Sequence, residues 1–130
     1  MEIYYEALRK KRYTSFLRSD TALPMMYMPD CIRGTAEFLL CDNSKLTQRV
    51  YNLQAFSFTP EDVAKSIQKF IPEFEIDYKP DYRQDIADTW PNALDDTKAR
   101  QDWNWKHEYD LDLMTDDMLK AIRPRIQGKK

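Results

Sequence analysis

Two glycines in 130 residues, Gly34 and Gly128, constrain this chain more than any other feature. Dinucleotide and phosphate loops need several glycines close together, for the tight turn and for the approach of backbone N–H groups to a pyrophosphate. A Rossmann fingerprint and a P-loop are therefore both excluded from this stretch of chain. Its length allows one domain or a piece of one, since domains usually run to about 100 to 200 residues.

The charge balance, 20 Lys and Arg against 22 Asp and Glu, is even and slightly acidic. That balance argues against capture by a phosphate backbone, so nucleic acid is not an expected partner. Hydrophobic residues make up 42% of the chain, with 8 Tyr, 6 Phe and 3 Trp, enough for a packed core. No apolar run approaches the roughly 20 residues that cross a bilayer, and Met1 to Arg12 lacks the apolar stretch of a signal peptide. A soluble chain without a membrane partner is expected.

Cys31 and Cys41 do not make a disulfide framework and read as reduced thiols. His107 has no second His or Cys at ligand spacing, so no metal site is expected. The acidic run Glu108, Asp110, Asp112, Asp116 and Asp117 places Met114 where a calcium loop needs oxygen, and reads as a solvated helix start. A Tyr with a Lys one helical turn later would mark short-chain reductase chemistry, because the ammonium lowers the phenol pKa. None of the eight tyrosines has that Lys.

Periodicity predicts alternating helices and strands. A helix covers Glu2 to Lys11, and Tyr13 to Leu17 and Pro24 to Met28 read as strands joined by a loop. Asp30 is expected to cap a second helix whose apolar stripe is Ile32, Ala36, Leu39 and Leu40, weakened slightly by Gly34. Val50 to Ala55 reads as a strand. Thr59-Pro60-Glu61-Asp62 starts a third helix with Val63, Ala64, Ile67, Phe70 and Ile71 on one face, ended by Pro72. Phe74, Ile76 and Tyr78 alternate as a half-buried strand. Lys79 to Asp95 reads as an ordered loop, Asp95-Asp96 as the start of a short helix reaching Trp103. A last helix from about Asp112 lines up Met114, Met118, Leu119 and Ile122 before Pro124, and Arg125 to Lys130 reads as a basic tail.

Ordered strings along nearly the whole chain carry a resemblance: Glu2-Ile3-Tyr4-Tyr5-Glu6-Ala7-Leu8, Leu17-Arg18-Ser19-Asp20-Thr21, Leu23-Pro24-Met25-Met26-Tyr27, Phe56-Ser57-Phe58-Thr59-Pro60-Glu61, Ile86-Ala87-Asp88-Thr89-Trp90-Pro91 and Asp102-Trp103-Asn104-Trp105-Lys106. With Tyr51-Asn52 and Arg83-Gln84, they resemble the C-terminal portion of the L-threonine 3-dehydrogenase family, extended short-chain dehydrogenases related to nucleotide-sugar epimerases. The resemblance runs from Glu2 to about Ile122.

The resemblance implies an α/β fold in which residues 1–122 form the C-terminal substrate-binding lobe, with 123–130 a basic tail and the Rossmann half absent. It implies NAD-dependent oxidation of L-threonine to 2-amino-3-oxobutanoate, with the NAD fingerprint and the catalytic Tyr/Lys pair upstream, so that this chain alone is expected to be inactive and to hold no cofactor site. Its partners would be L-threonine and the missing dinucleotide-binding domain or a replacement for it. The family homodimer interface would be largely absent, and the location mitochondrial.

Trp90 is the one residue taken as substrate-binding, because the matching Trp of the family faces the threonine pocket and a broad indole excludes water from the reacting carbon. Its alternative is a plain core role. Arg83 and Pro24-Met25 stand as further candidates for the pocket wall. Three positions depart from the family pattern: Pro29 precedes Asp30, Thr89 stands where Ser is usual, and Asn104 replaces a Gly. Asn best tolerates a positive φ, so that turn is expected to survive. The alternative to a partial dehydrogenase is a noncatalytic α/β interaction module built from the same lobe.

Overall fold

A computed structural model describes residues 2–128, which form an α/β arrangement of six α-helices and four short strands. The first helix, α1 (Glu2–Lys10), buries Tyr4 and Ala7, with Glu2 in its first turn and Arg9 and Lys10 in its last, as the helix dipole favours. The chain turns at Lys11, in the left-handed region at φ 55°, into β1 (Arg12–Ser15).

The expected loop between two early strands exists, but those strands do not pair with each other. β1 pairs in parallel with β4 (Glu75–Tyr78), Arg12 opposite Glu75 and Ser15 opposite Tyr78. β2 (Leu23–Met25) pairs antiparallel with β3 (Phe56–Phe58). The strand expected over Val50 to Ala55 instead lies just downstream, at β3. The preceding segment forms no strand: the Gln54 carbonyl receives the Arg100 guanidinium and the Trp105 indole N–H, each at 3.3 Å, instead of a ladder partner.

The third helix, α3 (Pro60–Phe70), starts where the sequence predicts. Thr59 Oγ1 accepts the Asp62 N–H at 3.1 Å while the Asp62 carboxylate accepts the Thr59 N–H at 3.0 Å, a reciprocal capping box. Its apolar face meets α1 and the last helix, α6 (Leu111–Gln127), around Tyr4, Ala7, Val63, Ala64, Ile67, Phe74, Met118, Leu119 and Ile122. Each Val, Leu, Ile, Phe or Met among them contributes about 1.5–3 kcal/mol when fully buried. Two buried hydroxyls sit inside this apolar contact and satisfy each other: Ser66 Oγ lies 2.9 Å from Thr115 Oγ1, which also meets the Tyr4 hydroxyl at 3.2 Å.

α6 does not stop before Pro124. It is capped by Asp110, whose carboxylate accepts the Leu113 N–H at 2.8 Å, and runs through Pro124 to Gln127, with Ile126 packed on the core. Proline removes one intrahelical hydrogen bond, and the packing of the helix on both sides of it outweighs that loss. The expected tail therefore starts as helix; Lys129 and Lys130 lie outside the described residues.

The largest correction concerns α2 (Met28–Leu40). Its cap position is Tyr27, and Asp30 sits inside the first turn. The expected apolar stripe points outward: Ile32 is 64% exposed, Leu39 74% and Leu40 87%. The face turned to the body is Asp30, Gly34 and Phe38, which meet residues distant in sequence. Phe38 stacks against Tyr51 and Trp103 with ring centroids at 5.5 and 5.3 Å. A period count marks the more apolar face and cannot see which face an indole from another segment selects.

The region read as an ordered loop holds a further short helix, α4 (Tyr82–Ala87), capped by Asp81. α5 (Thr97–Trp103) ends at Asn104, which takes the left-handed conformation expected of it, φ 60° and ψ 36°. Cys31 and Cys41 are both free thiols.

Candidate functional site

A cleft of about 420 Å³ opens where α1, β1, β2, β3, the start of α3 and α4 converge. Apolar walls come from Ile3 of α1, Leu23 and Met25 of β2, Phe58 of β3 and Val63 of α3. The segment after β1 adds Phe16, Leu17 and Thr21. Glu2 and Arg83 bring one charge of each sign, and the Tyr13 phenol lies among them.

Local chemistry fixes Arg83. Asp81 caps α4 by accepting the Arg83 N–H at 2.9 Å, and the same carboxylate receives Nε at 3.0 Å and Nη2 at 2.6 Å. This pairing holds the Asp81 carboxyl below its ordinary range and raises the guanidinium. One face of Arg83 is covered by Phe16, whose ring centroid lies 3.4 Å from Cζ. The Tyr13 phenol is pushed up by burial and by the charge of Glu2, against the opposing charge of Arg83.

A buried amide holds α4 in place. Gln84 Oε1 accepts the Arg18 N–H at 2.8 Å, and Nε2 donates to Asp88 at 2.7 Å and to Thr21 Oγ1 at 3.0 Å. Arg18 in turn pairs with Asp88 at 2.9 Å. The loop after β1 and the helix bearing Arg83 are thereby one unit.

Trp90 follows α4 directly. Its backbone N–H donates to the Ala87 carbonyl at 3.0 Å, and its side chain is 57% exposed and does not line the cleft. Of the candidates read from sequence, the fold brings Arg83 and the β2 residues Pro24 and Met25 to the cleft region, with Met25 and Arg83 on its wall, and leaves Trp90 beyond it. Phe16, Leu17, Thr21 and Gln84 were not marked by any period. The available signal was the Leu17-Arg18-Ser19-Asp20-Thr21 string, whose Arg18 and Thr21 prove to be ties to α4.

A second polar centre lies in the first turn of α2. Asp30, 1% exposed, accepts backbone N–H groups of Glu108 at 2.9 Å and Tyr109 at 3.0 Å, and Arg33 Nη2 at 2.8 Å. Burial pushes its carboxyl up, but those three donors together outweigh burial and hold it low. Arg33 also lies over the Trp105 ring, 4.9 Å from its centroid. This centre is closed to ligands and ties α2 to the segment that carries Trp105.

Among the described residues no group of His, Cys, Asp and Glu could hold a metal ion, and no helix is long and apolar enough to cross a membrane.

No family model matches the chain. The mitochondrial L-threonine 3-dehydrogenase of Bos taurus is 44% identical over 120 residues, 92% of this chain and 32% of the relative. An uncharacterized epimerase/dehydratase of Staphylococcus haemolyticus is 47% identical over 99% of this chain and 41% of its own length. Among solved structures, L-threonine dehydrogenase from Phytophthora infestans is 54% identical with a TM-score of 0.93, over 95% of this chain and 40% of that one. UDP-glucuronic acid 4-epimerase from Bacillus cereus, in complex with UDP-glucuronic acid and NAD, shares the fold alone, at 17% identity and a TM-score of 0.77. By sequence and fold the chain is similar to part of L-threonine 3-dehydrogenase; it spans 32 to 41% of the length of these relatives, and a C-terminal portion fits.

Proposed function

We propose that this chain is the substrate-side lobe of an L-threonine 3-dehydrogenase, with residues 1–122 forming the lobe and 123–130 its basic end. The observation that carries this reading is the match to the Phytophthora infestans enzyme, 54% identical with a TM-score of 0.93 over 95% of the chain. The cleft and the exposed Trp90 that follows α4 are the parts of this lobe offered to L-threonine.

NAD is the cofactor of the proposed reaction, and the residues present do not fit it. Neither glycine takes a positive φ, and Gly34 is covered by an indole, so no glycine turn presents backbone N–H groups to a pyrophosphate. Hydride transfer and the phenol that takes the hydroxyl proton are therefore assigned to the partner domain. What this chain does is bind and orient the amino acid and keep water from the reacting carbon.

The test has two arms. Calorimetric titration of the chain with NAD is expected to show no saturable binding at micromolar concentration. The same chain joined in frame to the rest of the Phytophthora infestans relative is expected to oxidise L-threonine with NAD. Turnover of another β-hydroxy compound in preference to L-threonine would overturn the assignment.

A further inference from the structure

Arg83 is the one cation among the residues lining the cleft, and its fork is only half used. Asp81 takes Nε and Nη2, and among the described residues Nη1 has no hydrogen-bond partner. With one edge fixed by an acid and one face fixed by Phe16, the remaining edge is presented without further ordering, which lowers the entropic cost of capturing a ligand.

The charges around it select the ligand. One guanidinium stands against two acids, its partner Asp81 and the cleft residue Glu2. A nucleotide or phosphorylated ligand would bring two or more negative charges to a locus that already carries a net negative one. A zwitterion suits it: one carboxylate for the Nη1 edge, one ammonium within the field of Glu2. The apolar walls of Ile3, Leu17, Leu23 and Met25 fit a small side chain and strengthen an ion contact by excluding water.

We propose that Arg83 is the carboxylate-recognition residue of this cleft, holding a small α-amino acid through its Nη1 edge. This rests on the reading of the chain as the threonine-binding lobe and adds the residue that makes it select an amino acid.

The test uses the chain joined to the rest of its Phytophthora infestans relative, with L-threonine and L-threonine amide as paired substrates. Loss of a charge-assisted hydrogen bond predicts that Arg83→Gln raises KM for L-threonine about tenfold or more, with KM for the amide and for NAD each held within about twofold. Arg83→Lys, which keeps the charge but loses the fork, falls between. Thermal melts of both variants check that they remain folded. An unchanged KM for L-threonine overturns the proposal. So does an equal loss on acid and amide, which marks a purely structural arginine. A wild-type joined protein that binds NAD yet oxidises no amino acid overturns the functional reading beneath it as well.

Discussion

Gly34 and Trp105 touch so closely that a Cβ at position 34 would stand 2.7 Å from Cζ3 of the indole. Trp105 is fully buried and its N–H is committed to the Gln54 carbonyl, so the ring has little room to retreat. Leu53 would crowd the same Cβ at 3.1 Å. The glycine in the middle of α2 is thus a packing requirement, and it explains why this helix turns its less apolar face inward.

Gly34→Ala is therefore expected to destabilise the chain, although alanine would favour an isolated helix by about 1 kcal/mol. Overpacking a fixed core site costs about 1–3 kcal/mol, enough to exceed that gain. Urea unfolding followed by tryptophan fluorescence measures the balance. A midpoint at or above that of the wild type would show that the indole moves freely.

Asp30 gives a pH-dependent prediction. Its carboxyl is held below the usual value in the folded state, whereas in the unfolded chain it titrates near 3.9. Its contribution is then complete above about pH 4 and fades as pH falls through the folded value, because the unfolded state takes up the proton first. Asp30→Asn keeps one acceptor oxygen but loses the charge and turns the other oxygen into an NH2 group facing a backbone N–H, and is expected to cost about 1–3 kcal/mol at pH 7. Between pH 6 and pH 3 the wild type should lose stability more steeply than the variant, so that the two converge in acid. The other carboxylates with lowered values, such as Asp62 and Asp112, are common to both proteins and cancel in the difference. Parallel pH profiles would exclude the linkage.

What was legible in the sequence was local. The cap at Thr59 and the strand ending at Tyr78 are each decided by a few adjacent residues, and the structure has both, as it has the left-handed Asn104 that the family pattern suggested. Strand partners are set by long-range packing, so neither the β1–β4 nor the β2–β3 pairing was readable. The inward face of α2 was hidden for the same reason. Asp30 looks like a helix cap because a cap is the usual use of an acid before an apolar run; the backbone N–H groups it accepts lie 78 and 79 residues away. In the cleft, the two charged residues, Glu2 and Arg83, lie 81 residues apart, which no spacing rule links.

The outward apolar face of α2 has a measurable consequence. Ile32, Leu39 and Leu40 form an exposed patch, whereas the stripes of α1 and α3 are covered by each other and by α6. At tens of micromolar the isolated chain is expected to self-associate and to enhance ANS fluorescence, as large exposed apolar patches do. The double variant Ile32→Lys and Leu39→Lys should shift it toward monomer, with a stability change within about 0.5 kcal/mol for such surface sites. A monomeric wild type without dye enhancement would mean that the patch is too small to act.

Trp90 provides the sharpest check on the substrate side. It stands at the exit of α4, on a segment whose base is tied by Gln84 and by the Arg18–Asp88 pair, and its large indole is more than half exposed. A broad apolar ring held on a fixed base is suited to close over a small ligand once a second domain completes the site, where it would exclude water from the reacting carbon. In the chain joined to the rest of its relative, Trp90→Ala should lower kcat/KM for L-threonine while the KM for NAD stays nearly unchanged, the outcome expected of an indole on the amino-acid side of the proposed site. A loss of about tenfold corresponds to about 1.4 kcal/mol of transition-state stabilisation. If kcat/KM stays within about twofold, less than about 0.5 kcal/mol, then Trp90 is a surface residue of the lobe and the threonine site is the Arg83 cleft alone.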